Sequence, residues 1–354
     1  MVTRWTGRAR LYACVLSAAL ISSLTCAAPL AASDDNNDGE FYHTLSWETR
    51  WVNVDRTETT DVRVPIGREH AQQPATGFVH SRVKRIVYGE DDRVRIDPAT
   101  DGKRFPYTSI VRVSTGCSGV MISRIHVLTA AHCVHDGDAY LQSALLFLRA
   151  GYLDEEGETQ WFFVKRFFIA NEWKNKTESG AHQYGDWDDN DFAVLEMVGE
   201  ELGKKRDIMK PGISGLFCND RKSVHGAESQ IEFVSFPDDK MKNAYWYVQS
   251  LVETESPHLL YFTGDATHGC SGAGLYAWDY NSQSEEYEKR VIGVLSGNRD
   301  TVPFAQSQGN FNVAARLTPT NFMMVCHWIE EEEECRTRYA DYLDKDRHES
   351  LCRS

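Results

Sequence analysis

From Ile86 onward the chain is punctuated into short β-runs, and this constrains its fold more than any other feature. Apolar and β-branched residues cluster at 109–113, 120–122, 145–148, 161–164, 192–195, 231–234 and 291–295, with turn-forming residues between them. Runs of three to five residues are too short for amphipathic helices. No helical pattern alternates with them, so a doubly wound α/β sheet is excluded and an all-β sandwich or barrel is expected. Only the end reads as a helix. Over 320–329, Phe322, Met323, Val325, Cys326 and Ile329 recur at helical spacing, and the acidic run from Glu330 to Glu334 reads as a solvated face.

The 354 residues suit one large domain or two ordinary ones, and 42% hydrophobic content is enough for a sizeable core. The formal charge of −14 argues against binding nucleic acid or anionic lipid through bulk attraction to phosphates. The first 28 residues hold Arg4, Arg8 and Arg10, then an apolar run over 11–24, then Thr25-Cys26-Ala27-Ala28. That layout predicts a secretory signal peptide over 1–28 and an extracellular protein with no membrane attachment after its removal. An uncleaved anchor reaching Ala32 is the competing reading. Seven of the nine cysteines lie beyond this leader, in keeping with an oxidising compartment. No paired CxxC motifs suggest structural zinc, and no calcium-loop pattern occurs. Asn175-Lys176-Thr177 is a glycosylation sequon.

Residues 33–85 are polar and poor in long apolar runs, and end in Ser81-Arg82-Val83-Lys84-Arg85. A furin-like processing convertase would cut after Arg85 and make Ile86 a new amino terminus. The plainer alternative is a basic patch in a linker. The expected division is a pro-segment over 29–85, a main domain over 86–335 and a charged tail over 336–354.

Three segments carry chemistry. Thr129-Ala130-Ala131-His132-Cys133 sets a histidine among small residues at a strand end, where its imidazole can reach a neighbour. In Asn190-Asp191-Phe192-Ala193-Val194-Leu195, a carboxylate enters an apolar strand, which is costly unless a partner accepts its charge. Gly269-Cys270-Ser271-Gly272 permits a tight, exposed turn in which the N–H groups of Gly269 and Ser271 converge on a developing oxyanion. Together they read as a Ser-His-Asp apparatus. Cys270 is a rival nucleophile, but the glycine spacing fits Ser271.

These strings, with Ser114-Thr-Gly-Cys-Ser-Gly, Ser271-Gly-Ala-Gly-Leu-Tyr276, Val291-Ile-Gly-Val-Leu-Ser-Gly297 and Phe311-Asn-Val-Ala-Ala-Arg-Leu-Thr-Pro319, resemble the chymotrypsin/trypsin-like serine peptidases. Within them the resemblance is to the serine protease 23 and 35 subgroup. It implies two six-stranded antiparallel β-barrels, meeting near 205–225, with a C-terminal helix. It implies that His132 is the general base, Asp191 its orienting acid and Ser271 the nucleophile, acting through an acyl-enzyme on a protein or peptide substrate without cofactor or metal. Asp265, six residues before Ser271, would stand at the base of the specificity pocket and select Arg or Lys. Ser296 and Gly297 would lie along the substrate backbone, and Cys117 and Cys133 would be bridged. Cys326–Cys335 is a weaker pairing. The departure is Cys270, where family zymogens carry the aspartate that receives the new ammonium. The alternative function is a catalytically weak or inactive homologue serving as an extracellular binding protein.

Overall fold

The computed structural model describes residues 41–52, 56–66, 87–97, 99–136, 139–141, 147–150, 161–178, 190–199, 207–213, 230–241, 244–255, 258–281, 284, 286–299, 311–330, 335–337 and 340. The signal segment, Arg85, Ile86, Cys218 and Cys352 lie outside these residues.

The first barrel is built from β4 (Ile110–Val113), β5 (Ser118–Met121), β6 (His126–Thr129), β7 (Phe147–Ala150), β8 (Trp161–Ala170) and β9 (Ala193–Met197). They follow the order β8-β7-β4-β5-β6-β9, and β8 pairs with β9 to close the sheet on itself. Closure pairs every strand on both sides, which removes the edges that would otherwise invite aggregation. Strands β5, β6 and β9 are buried at every residue. One contiguous core explains this, because Val120, Leu128 and Val194 belong to the same apolar cluster as Val234, Tyr276 and Val294 of the second barrel and Val325 and Trp328 of the terminal helix.

The second barrel follows with β10 (Gln230–Ser235), β11 (Trp246–Glu255), β12 (Leu259–Phe262), β13 (Gly274–Asn281), β14 (Glu286–Arg299) and β15 (Phe311–Arg316). Its order is β10-β13-β14-β15-β12-β11, closed by β10 against β11, with the short β3 (Val94–Arg95) added to β11. Its interior packs Ile231, Phe233, Val248, Leu260, Phe262, Leu275, Ile292 and Leu295 together. The expected all-β architecture of two six-stranded antiparallel barrels is therefore what the chain adopts. All seven predicted β-runs fall within strands or overlap them.

Among the described residues, two helices of eight or more residues accompany the barrels. α1 (Asn171–Glu178) follows β8 and contains Asn175 of the sequon. α2 (Pro319–Ile329) begins at Thr318, whose hydroxyl accepts the Asn321 N–H, with proline in the first turn, where its missing N–H is no loss. The Cys326–Cys335 disulfide ties this helix to the short helical stretch at 335–337.

Part of the expected pro-segment is a component of the first barrel's sheet. β1 (Phe41–Trp51) and β2 (Arg56–Ile66) form a hairpin, and β1 pairs with β8 from Trp47–Ala170 to Trp51–Arg166. Leu45 and Trp47 alternate with more polar neighbours and are buried against the barrel, as one face of a half-buried strand requires. The expected boundary at residue 85 thus has strands of one sheet on both sides of it. Among the described residues β2 is the outermost strand of the extended sheet, and its exposed Arg56, Glu58, Asp61 and Arg63 guard it against further pairing.

Candidate active site

Three elements bring the predicted residues together. His132 lies in a 3₁₀ turn, Ala131–Cys133, just past the end of β6. Asp191 stands two residues before β9, and Ser271 lies in the turn between β12 and β13. Because β6 and β9 are neighbours in register from His126–Glu196 to Thr129–Ala193, the histidine and the aspartate leave the same end of the first barrel. The Cys117–Cys133 disulfide, with Cα atoms 6.1 Å apart, pins the His132 turn to the start of β5.

His132 Nε2 is 2.7 Å from Ser271 Oγ, and Nδ1 is 2.6 Å from Asp191 Oδ2. The main-chain N–H of His132 also donates to Asp191 Oδ1 at 2.8 Å, so the carboxylate grips both the ring and the backbone of the same residue. Ser296 on β14 donates its hydroxyl to Asp191 Oδ2. Asp191 is buried, and burial alone would raise its pKa. The charge of His132 and the hydrogen bonds from its ring, from Ser296 and from its amide outweigh that cost, so the carboxyl stays below its ordinary range. An ionised Asp191 fixes the proton on Nδ1 and leaves Nε2 to accept from Ser271. The geometry is therefore that of an activated hydroxyl nucleophile.

The loop carrying Ser271 is shaped by close backbone contact. Gly269 has φ of +90° and Gly272 has φ of +80°, values that favour glycine. A Cβ on Gly269 would come within 2.2 Å of the Phe236 carbonyl, and one on Gly272 within 2.1 Å of Thr129 Oγ1. Ser118, which sequence reasoning did not single out, ties the loop to its surroundings. Its hydroxyl donates to the Gly269 carbonyl at 2.8 Å and accepts the Phe236 N–H at 2.9 Å, and its own N–H donates to the Ser271 carbonyl at 2.7 Å. With the Gly269 carbonyl held inward, its N–H has no partner among the described residues, as an oxyanion donor requires.

Cys270 points the other way, into the second barrel's core beside Phe233 and Leu275. Its sulfur accepts from Ser235 Oγ at 3.1 Å and from the Thr267 N–H at 3.4 Å. It is thus a buried core thiol, and the rival-nucleophile reading finds no geometric support. Cys117, His132 and Cys133 lie close enough to suggest a metal cluster, but both sulfurs are spent in the disulfide.

Asp265, expected at the base of the specificity pocket, is buried and engaged by main-chain donors. Its Oδ1 accepts the Tyr88 N–H at 2.6 Å and its Oδ2 accepts the Asp92 N–H at 3.2 Å, and the residue is 2% exposed. The reason is that the segment following the convertase motif packs across it. Burial, followed in size by these two hydrogen bonds, decides its ionisation, and the balance raises its pKa above the usual carboxylate value. Gly297 continues β14 opposite Val313 of β15, one residue beyond Ser296.

A closed pair of barrels with a serine, a histidine and a buried aspartate relayed between them defines the class of chymotrypsin-type peptidase folds. Comparison with known proteins agrees. Residues 93–208 match the trypsin family. Serine protease 23 of Homo sapiens is 33% identical over 309 residues, an alignment covering 80% of this chain and 76% of that protein. Inactive serine protease 35 of Homo sapiens is 30% identical over 339 residues, covering 80% and 78%. A solved structure titled "Structure of Glu endopeptidase in complex with MPD" superposes with a TM-score of 0.50 at 22% identity, covering 69% of this chain and 99% of that one, a likeness of fold. The chain belongs to the trypsin-like serine peptidase family.

Proposed function

We propose that this chain is an exported serine endopeptidase. The observation that carries the reading is the unbroken relay from Ser271 Oγ through His132 to Asp191, at 2.7 and 2.6 Å. Ser271 attacks the carbonyl carbon of a peptide bond while Nε2 of His132 takes its proton. The tetrahedral oxyanion is stabilised by the N–H groups of Gly269 and Ser271. Collapse returns the proton from His132 to the leaving amine, and water, deprotonated by the same nitrogen, hydrolyses the acyl-enzyme. The residues themselves supply every proton transfer, so no cofactor is invoked. Substrates are proteins or peptides, and a processing convertase acting at Arg85 is the expected upstream partner.

A preference for Arg or Lys rested on Asp265. Each of its oxygens takes one main-chain donor, which supports an anchoring role for Asp265 over a cation-selecting one. A second reading, an extracellular binding protein with little turnover, draws support from Cys270, since no carboxylate precedes the nucleophile to receive a new ammonium.

The test is active-site labelling of secreted protein with a fluorophosphonate, before and after cleavage at Arg85, beside Ser271→Ala. Labelling of wild type and not of the variant supports the enzyme. No labelling of folded protein in either form favours the binding role.

A further inference from the structure

The family's usual device for ordering the oxyanion loop needs an acid at position 270, and here the side chain is a core thiol. Yet the loop is tightly turned, with the Cys270 N–H closing on the Thr267 carbonyl at 3.1 Å and the Asp238 N–H on the His268 carbonyl at 2.7 Å. Something else holds it. Arg93 lies beneath it with its side chain 1% exposed. All five guanidinium N–H groups find acceptors. Nε and Nη2 fork onto Asp91 at 2.8 Å each, Nη1 and Nη2 fork onto Asp239 at 2.9 and 2.6 Å, and Nη1 also reaches Thr267 Oγ1 at 3.2 Å. Thr267 in turn donates to Asp239 Oδ1 at 2.5 Å, and Lys240 pairs with Asp91. Two residues upstream of Thr267, Asp265 takes the Tyr88 and Asp92 amides. Residues 88–93 therefore grip the loop at Asp265 and Thr267, and grip the opposing 236–239 strand end, against which Gly269 lies, at Asp239.

We propose that Arg93 is a positioning residue for the oxyanion loop. With Asp265 it makes the segment just after the Arg85 motif the brace that residue 270 cannot supply. This rests on reading Ser271 as the nucleophile, and it adds the means by which that site is ordered. Arg93 touches no reacting atom. It fixes Thr267 and Asp239, and they fix the turn that aims the Gly269 N–H.

The experiment compares wild type, Arg93→Met and Thr267→Val in two readouts. The first is the rate of fluorophosphonate labelling, with kcat and KM on a protein substrate. The second is amide hydrogen exchange in residues 264–272, with residues 126–133 around His132 as the internal control. Arg93→Met is expected to slow labelling by roughly ten- to a hundredfold, short of or equal to the loss of an oxyanion donor. It lowers kcat with KM held within about threefold, as a loss confined to the transition state requires. Exchange in 264–272 speeds up while 126–133 stays protected. Labelling and loop exchange both at the wild-type level overturn the brace. Wild type that fails to label, with loop exchange still governed by Arg93, refutes the peptidase reading and leaves the brace standing. If Arg93→Met loses protection in both barrels, Thr267→Val decides. That near-isosteric change deletes the contact to Arg93, and loop protection unchanged from wild type overturns the proposal.

Discussion

Cutting the chain after Arg85 is expected to leave residues 41–66 bound to the rest of the protein. The hairpin contains no cysteine, so non-covalent contacts alone would hold it after the cut. Those contacts are extensive. Strand β1 is hydrogen-bonded along β8 over Trp47–Trp51, and the Val52 N–H adds a bond to the Lys165 carbonyl at 3.0 Å. Leu45 is fully buried, Glu48 pairs with Lys174, and Asn171 donates to Ser46 at 2.6 Å. Trp47 stacks on His327 at 6.1 Å and meets the edge of Trp328 at 6.3 Å. Trp328 then packs on Phe192 at 5.5 Å, the residue beside Asp191.

Truncating such an aromatic costs about 3–5 kcal/mol. At about 1.4 kcal/mol per tenfold, Trp47→Ala loosens the hairpin by at least roughly a hundredfold. The assay is gel filtration of cleaved protein from micromolar to nanomolar concentration, with the hairpin followed by mass spectrometry and the cut verified on a denaturing gel without reductant. Cleaved wild type should keep the hairpin throughout. Cleaved Trp47→Ala should shed it on dilution and lose labelling at Ser271 in parallel, since the support beneath Phe192 goes with it. Release of the hairpin from wild type at micromolar concentration in native buffer, or equal retention by both proteins, would refute the reasoning.

Further outcomes follow from the same contacts. Asp191→Asn removes the charge that fixes the His132 tautomer and should lower kcat by roughly 10⁴ with the fold intact, read by steady-state kinetics and circular dichroism. Ser118→Ala strands the Phe236 N–H and the Gly269 carbonyl, costs about 2–4 kcal/mol in urea unfolding, and slows labelling because the oxyanion turn loosens. Burial pushes His126 down to about 4, against the opposing pull of Glu196, so the folded state binds its proton less readily than the unfolded chain. Stability should therefore fall as pH drops from about 6.5 to about 4, by about 3 kcal/mol from this group, and His126→Gln should flatten that limb of a urea titration. Asp265→Asn should reduce turnover of substrates with Arg and with Phe before the scissile bond to a similar degree, measured by kcat/KM. A selective loss on Arg substrates would restore its role as a cation selector.

What was legible in the sequence was legible because it is local. The runs at 120–122 and 192–195 declare strands through their own β-branched and apolar content, His132 and Ser271 sit in short strings of small residues, and Asp191 stands out as a carboxylate entering an apolar strand. Even Cys117–Cys133 and Cys326–Cys335 close short loops, with sequence separations of 16 and 9 residues. The hairpin at 41–66 was missed because alternation as sparse as Leu45 and Trp47 among polar residues becomes a signal only once β8, more than a hundred residues away, supplies the other half of the ladder.

Asp265 shows the converse. Its spacing from Ser271 is a local fact and was read correctly, but its role is set by Tyr88 and Asp92, 177 and 173 residues distant. Arg93 was invisible for the same reason, since its forks reach Asp239, 146 residues on, and Thr267, 174 residues on. Chemistry at a peptide bond needs three groups whose identities are fixed by reactivity, and identities can be read from sequence. Holding them in place needs only buried charge satisfied from any direction, so the same loop can be braced by an ammonium at one position or a guanidinium at another. Cys270, Asp265 and Arg93 all belong to that second, interchangeable kind.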